Sequence, residues 1–178
     1  MEIRSLNMQG LPILPYIRED GEIVVVLQKD MAYYTSRGLI IVPKGFESDG
    51  CSMPRLFWRI IGKPFDFLYL REAILHDWLY KKQLFDRETS DLLFREEMQT
   101  NAAFTREGIR LSIINDNPNI SEKEFNKKYK KILDEVRVLS NAKIKAIYWG
   151  LRVGGWVAWN NHARVNKKEL ANGEQQPR

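Results

Sequence analysis

The sequence predicts an α+β fold: a small N-terminal antiparallel β-hairpin or sheet, followed by a helical bundle of about four helices. Three observations predict it. β-Branched and aromatic runs separated by turn residues fill the first sixty positions. From Phe67 the apolar spacing becomes helical. Two of the helical stretches, joined by a short loop, carry complementary polar side chains and read as an antiparallel pair. A composition of 44% hydrophobic and 29% charged residues over 178 positions suits a folded globular chain and excludes a disordered or collagenous one.

The first strand expected is Glu22 to Gln28, a β-branched run after the turn pair Asp20-Gly21. Ala32-Tyr33-Tyr34-Thr35 and Leu39-Ile40-Ile41-Val42 flank Ser36-Arg37-Gly38 and read as paired strands. Pro43 ends that pairing. A loop dense in turn residues runs from Lys44 to Pro54, and a short helix is expected near Phe57-Trp58. The first long helix spans 68–82, and Asp86 is a good N-cap for a second running to about Thr100. Asn115 to Asn119 is the clearest linker. Ser121-Glu122-Lys123-Glu124 has the pattern of a capping box opening a charged third helix. A fourth helical run extends from Ala142 to Val165, and the chain from Lys167 reads as a flexible tail. The resulting organisation is 1–114 with the hairpin and the helix pair, 121–166 with basic helices packing on it within one compact domain, and 167–178 as tail.

Charge and rare residues bound the chemistry. Residues 1–100 hold 13 Lys/Arg against 15 Asp/Glu, whereas residues 101–178 hold 15 against 8. A basic half suggests an acidic partner or surface, with plain solubility as the alternative. The single cysteine, Cys51, excludes an internal disulfide, and two histidines exclude most His-based metal clusters. No run approaches the roughly 18 apolar residues of a spanning helix. The first residues lack an apolar core ahead of a cleavage site, so synthesis and folding in the cytoplasm are expected.

The densest chemistry lies in Ala73 to Tyr80 and Arg87 to Phe94. Positions 73, 76, 77 and 80 share a helical face, as do 87, 91, 94 and 98. His76 opposite Asp91 would be a base and its orienter. Asp77 would be free to hold a hard cation with loop carbonyls. Arg87 could instead pair with Asp91 four residues on, a purely structural use. The whole set could equally be a satisfied buried network with Tyr80 and Arg87 as partners. Leu75, Leu79, Leu92, Leu93 and Phe94 read as core. Ser48, Asp49 and Ser52 fit helix caps or Asx-turns better than catalysis, and nothing near Cys51 marks an activated thiolate.

In the basic half, Phe125, Tyr129, Ile132, Leu133 and Val136 form an apolar stripe, with Lys127, Lys130 and Lys131 on other faces. A solvated helix or an acidic partner explains these lysines, and nucleic acid is the weaker option. Trp149, Trp156 and Trp159, with Gly150 and Gly154, suggest close packing or a subunit contact. Arg152 argues against membrane insertion there. His162, read as lying near that helix's end, is assigned no chemistry.

The loop Gly45-Phe46-Glu47-Ser48-Asp49-Gly50-Cys51-Ser52-Met53-Pro54-Arg55, the helix Ala73 to Tyr80, and Arg87, Asp91, Phe94 and Met98 together resemble a phage and prophage family catalogued as domain of unknown function thirteen fifty-three. That resemblance covers about residues 20–160. It implies a phage or prophage origin, and with it a place in the host cytoplasm and in the virion, but no established activity. A second resemblance is local. His76-Asp77-x-x-Tyr80, with Asp91 on an antiparallel helix, is similar to the helix pair of phospholipases A2. It implies His76 as base, Asp77 as Ca²⁺ ligand with Asp49 offering loop oxygens, Asp91 as orienter and Tyr80 as brace; that family's glycine-rich calcium loop is absent. Two functions follow as expectations. One is a hydrolase acting on envelope lipid or peptidoglycan. The other is a non-catalytic virion or assembly protein contacting phage structural proteins through Lys127, Lys130, Lys131, Trp156 and Trp159.

Overall fold

A computed structural model describes residues 11–50 and 69–172. The readings made for Ser52, Arg55, Cys51 and the Phe57-Trp58 helix lie outside these residues. Strands β1 (Ile13–Ile17), β2 (Ile23–Leu27) and β5 (Glu47–Ser48) form one antiparallel sheet in the order β1-β2-β5. Strands β3 (Met31–Thr35) and β4 (Gly38–Val42) form a separate hairpin. The sequence reading had no β1, because Pro15 and solvent-facing Leu14, Tyr16 and Ile17 hide its pattern. As an outer strand bordering only β2, it tolerates a residue without an N–H. The β3–β4 hairpin matches the expectation: Met31, Tyr33, Ile40 and Val42 point inward while their neighbours face water. Its turn closes through Gly38, whose φ of 103° suits a residue without a Cβ.

Helices follow: α1 (Leu70–Lys82), α2 (Arg87–Asp116), α3 (Glu122–Val136), α4 (Asn141–Gly154) and α5 (Trp156–Ala171). Asp86 caps α2, its carboxylate accepting from the Thr89 amide at 2.7 Å. Ser121 caps α3 and Ser140 caps α4 in the same way. Three boundaries differ from expectation. Helix α2 continues past Thr100 to Asp116, about 45 Å in all, because the lone Gly108 is tolerated in its interior and no proline intervenes before Pro118. The fourth helical run is two helices separated at Gly155. The tail expected from Lys167 is helical through Ala171, closed by the Asn172 amide on the Lys168 carbonyl.

Helix α1 is shared between two apolar clusters. Leu70, Ile74, Leu75 and Leu79 pack with Leu93 of α2 on β-strand residues Val25, Leu27, Met31, Tyr33, Ile40 and Val42. Ala73, next to Tyr69, joins Phe94, Met98 and Ala102 of α2 and Ile144, Ile147 and Leu151 of α4. Leu92, expected in the core, is half-buried, while Leu75, Leu79, Leu93 and Phe94 are fully enclosed. His76 lies between the two clusters on the α1 face turned to α2.

Candidate functional site

The antiparallel pair brings His76 and Asp91 together as the sequence indicates. His76 Nε2 lies 2.9 Å from Asp91 Oδ1, and the Tyr80 hydroxyl donates to the same oxygen at 2.6 Å. Burial works to raise the Asp91 pKa, but hydrogen bonds from His76, Tyr80 and Arg152 outweigh it and hold the carboxyl below its ordinary value. Asp91 is fully enclosed, and His76 is 3% exposed. The imidazole packs between the rings of Tyr80 and Phe94, with centroids at 4.1 and 4.9 Å. Burial, reinforced by the Asp91 charge, pushes the Tyr80 phenol pKa up, so the hydroxyl stays a donor.

The fourth participant, Arg152, was visible in the sequence only as a charge that argued against a membrane. Its Nη1 donates to Asp91 Oδ2 at 2.9 Å, and Nη2 approaches Glu88 Oε2 at 3.8 Å. Burial works to lower its pKa, but the hydrogen bond to Asp91 outweighs this and keeps it raised. Arg87 makes the pairing with Asp91 foreseen for it and adds contacts that the sequence did not signal. Its Nη1 lies 3.6 Å from Asp91 Oδ2 and also donates to the carbonyls of Leu151 and Arg152, satisfying the end of α4. Gly155 explains how α4 and α5 come so close: a Cβ there would lie 2.7 Å from the Tyr80 hydroxyl and 2.8 Å from the Leu151 carbonyl oxygen.

Asp77, placed with His76 and Tyr80 on one stripe by spacing, turns instead toward β5. Ser48 Oγ donates to its Oδ2 at 2.5 Å, and the Gly50 amide donates to Ser48 Oγ at 3.2 Å. Pairing of Ser48 with Val25 of β2 fixes this loop over α1. Burial, then the charge of neighbouring Asp49, push the Asp77 pKa well above its ordinary value against the Ser48 hydrogen bond. Asp49 itself is exposed. Among the described residues no group of three or more His, Cys, Asp or Glu could hold a metal ion. His162 is in mid-helix, not at the end of α5, so the helix-dipole reading fails. Half-burial lowers its pKa, with the Asp49 charge opposing.

The proposed partner residues divide. Lys127, Lys130 and Lys131 are exposed on α3, a helix with no fully buried residue. Trp156 is exposed, whereas Trp159 packs edge-on against Tyr80 at 5.1 Å. A second buried acid escaped notice. Glu72 is 1% exposed, its Oε1 accepts from Asn101 Nδ2 at 2.8 Å, and its Oε2 has no hydrogen-bond partner among the described residues. Asn101, at the point where the second helix was expected to have ended, gave no signal for it.

Residues 25–108 match the family model described as "Protein of unknown function (DUF1353)". The chain is also similar to "Uncharacterized protein y4jT" of Sinorhizobium fredii (strain NBRC 101917 / NGR234), at 37% identity over 68 residues. That match covers 38% of this chain and 20% of the relative, so most of the relative lies beyond the comparison. No solved structure gives a significant match. Among the described residues no helix is long and apolar enough to cross a membrane.

Proposed function

We propose, from the premise that residues 25–108 are a DUF1353 family domain, that the α1–α2 junction is the centre of a hydrolase acting on a cell-envelope component. One observation carries this reading: Asp91 Oδ1 binds both His76 Nε2 and the Tyr80 hydroxyl. With Nε2–H donating to Asp91, the lone pair sits on Nδ1, which can take a proton from water. The hydroxide oxygen then bonds to an acyl carbon, the imidazolium is stabilised by the ionised Asp91, and its proton passes to the leaving oxygen as the ester C–O bond breaks. Asp91 keeps its charge because His76, Tyr80 and Arg152 hold it ionised. This division of roles is that of the phospholipase A2 helix pair, which makes a phospholipid ester the favoured substrate and peptidoglycan the lesser one.

Two hard carboxylates crowded together, one raised by the other's charge, suit a divalent cation such as Ca²⁺. Asp77 and Asp49 would hold it on the side of α1 that faces β5, and when bound it would supply positive charge there, next to the base rather than on it. Ser48 orients Asp77, and Arg87 and Arg152 keep α4 in place behind Asp91.

A second reading is favoured by the 3% exposure of His76 and its packing between two rings. In it the network is structural, and the protein is a phage virion or assembly component that meets its neighbours through α3 and α5. The experiment that separates the two uses His76→Ala and Asp77→Asn, verified as folded, on phospholipid and peptidoglycan with and without Ca²⁺. The hydrolase reading expects turnover by the wild-type chain and a loss of about 100-fold or more in His76→Ala. No turnover of either substrate, or equal turnover by the variants, would leave the assembly reading.

A further inference from the structure

The face of α4 and α5 turned away from the core is apolar where a solvent-facing helix is ordinarily polar. Ile144, Ile147, Tyr148 and Leu151 are buried on one side. On the other, Trp149, Val153, Trp156 and Val157 are 62%, 65%, 56% and 46% exposed. Trp149 and Val153, four apart, share a face of α4, and Trp156 and Val157 open α5 directly beyond Gly155, so the four make an exposed apolar ridge along the two helices. Exposed apolar side chains gathered in this way mark an interaction surface.

Along α4 and α5 as far as Lys168 the charge has one sign, with Glu88 of α2 reaching Arg152 from the side. Residues 141–168 contain no Asp or Glu and six cations: Lys143, Lys145, Arg152, Arg164, Lys167 and Lys168. Arg152 is committed to Asp91. Lys145 lies one turn before Trp149, and Arg164 lies two turns after Val157; both are exposed. Indoles and valines at the centre with lysine and arginine at both ends is the pattern of a helix lying in a membrane interface. The apolar side chains enter the acyl boundary there while the cations meet lipid phosphates. Nucleic acid would use the cations but leave the valines unpartnered. An acid-rich protein groove could take the indoles as well, and the polyglutamate arm of the test separates it from lipid.

We propose that the Trp149–Val153–Trp156–Val157 ridge, flanked by Lys145 and Arg164, docks the protein on an anionic phospholipid surface. Its position gives the docking a consequence. One turn beyond Trp156, Trp159 packs on Tyr80, and its carbonyl accepts from the Gln83 side chain at 3.1 Å. The helix that meets lipid is thus the helix that braces the His76–Asp91 network. That the bound lipid is also the substrate rests on the hydrolase reading; the docking itself does not.

The test is co-sedimentation of the full chain with vesicles of phosphatidylcholine alone and of phosphatidylcholine mixed with phosphatidylglycerol. The proteins compared are wild type, Trp149→Ser/Trp156→Ser, and Lys145→Glu/Arg164→Glu. Because all four positions are exposed, the variants keep the wild-type circular dichroism. Wild type binds the phosphatidylglycerol vesicles, the tryptophan variant binds about tenfold or more weakly, and the charge variant loses the preference for the anionic lipid. Failure of wild type to bind these vesicles, or equal binding by the tryptophan variant, overturns the proposal. So does tryptophan-dependent retention on DNA or polyglutamate without vesicle binding. Vesicle binding without hydrolysis of either lipid or peptidoglycan would remove the hydrolase reading and leave the docking face. Hydrolysis of monomeric short-chain phospholipid without vesicle binding would do the reverse.

Discussion

Two of the carboxylates buried at the α1–α2 interface, Asp91 and Glu72, are treated in opposite ways. Asp91 is reached from three helices: His76 and Tyr80 of α1, Arg152 of α4 and Arg87 of its own helix. Glu72, one turn before His76, has the Asn101 amide on one oxygen and, among the described residues, nothing on the other. Its pKa rises to about 7, chiefly through burial, with the Glu97 charge adding to it against the pull of its own amide, Arg71 and Asn101. Asp91 is equally enclosed, yet its pKa falls. Burial depth does not decide whether a carboxylate stays charged here; the number and charge of its donors do. The ionised end of the interface is the end beside the short α1–α2 connection, and the end near neutrality lies away from it.

The sharpest way to break this contrast is to remove Asp91. Asp91→Ala leaves His76, Tyr80 and Arg152 buried without their shared acceptor, and should cost about 3–5 kcal/mol in urea unfolding. A loss below about 1 kcal/mol would show that the network contributes little to holding α1, α2 and α4 together.

Glu72 should behave in the opposite sense. Its pKa is raised in the folded state above the ordinary 4.5, so between pH 4.5 and about 7 the folded chain holds a proton that the unfolded chain has released. Its contribution to stability is therefore fully present below about pH 4.5, falls as pH rises through 7, and is flat above that. Glu72→Gln removes this fall. It should leave stability near pH 4 almost unchanged and raise it at pH 8 by on the order of 3 kcal/mol. Parallel pH–stability curves for wild type and variant would contradict the assignment.

Gly155→Ala tests how tightly the Asp91 end is built. The new Cβ would meet the Tyr80 hydroxyl and a backbone carbonyl that cannot swing aside, at an expected cost of about 1–3 kcal/mol. If Tyr80 is displaced from Asp91, the cost should shrink markedly in a Tyr80→Phe background, a double-mutant cycle that reads the coupling directly.

The same contrast separates what the sequence made legible from what it did not. His76, Tyr80 and Asp91 were readable because helical spacing and a short loop are local facts. The caps at Asp86 and Ser121 were equally readable, being signalled by residues within a turn of each helix start. Arg152 reaches Asp91 from 61 residues away and carried no local mark, since an arginine on a basic helix looks like a solvated one. Gly155 carried no local mark either, since the Tyr80 hydroxyl it makes room for lies across the interface. Asp77 is the instructive error. Spacing put it with His76, but pairing between β2 and β5 drew Ser48 over α1 and took it the other way. Glu72 gave no sign at all, because burial of one acid among many is decided by tertiary packing.

The central claim is that Asp91 fixes the His76 imidazole with its proton on Nε2 and its lone pair on Nδ1. Nitrogen-15 long-range correlation spectra of the imidazole rings test this directly. With only two histidines in the chain, His162→Gln assigns the signals without ambiguity. At neutral pH the account expects His76 in the Nε2–H tautomer, shifting toward a mixture in Asp91→Asn if that variant stays folded. An Nδ1–H tautomer in the wild-type protein would contradict it, since His76 would then offer Asp91 no proton and keep no lone pair on Nδ1 for catalysis.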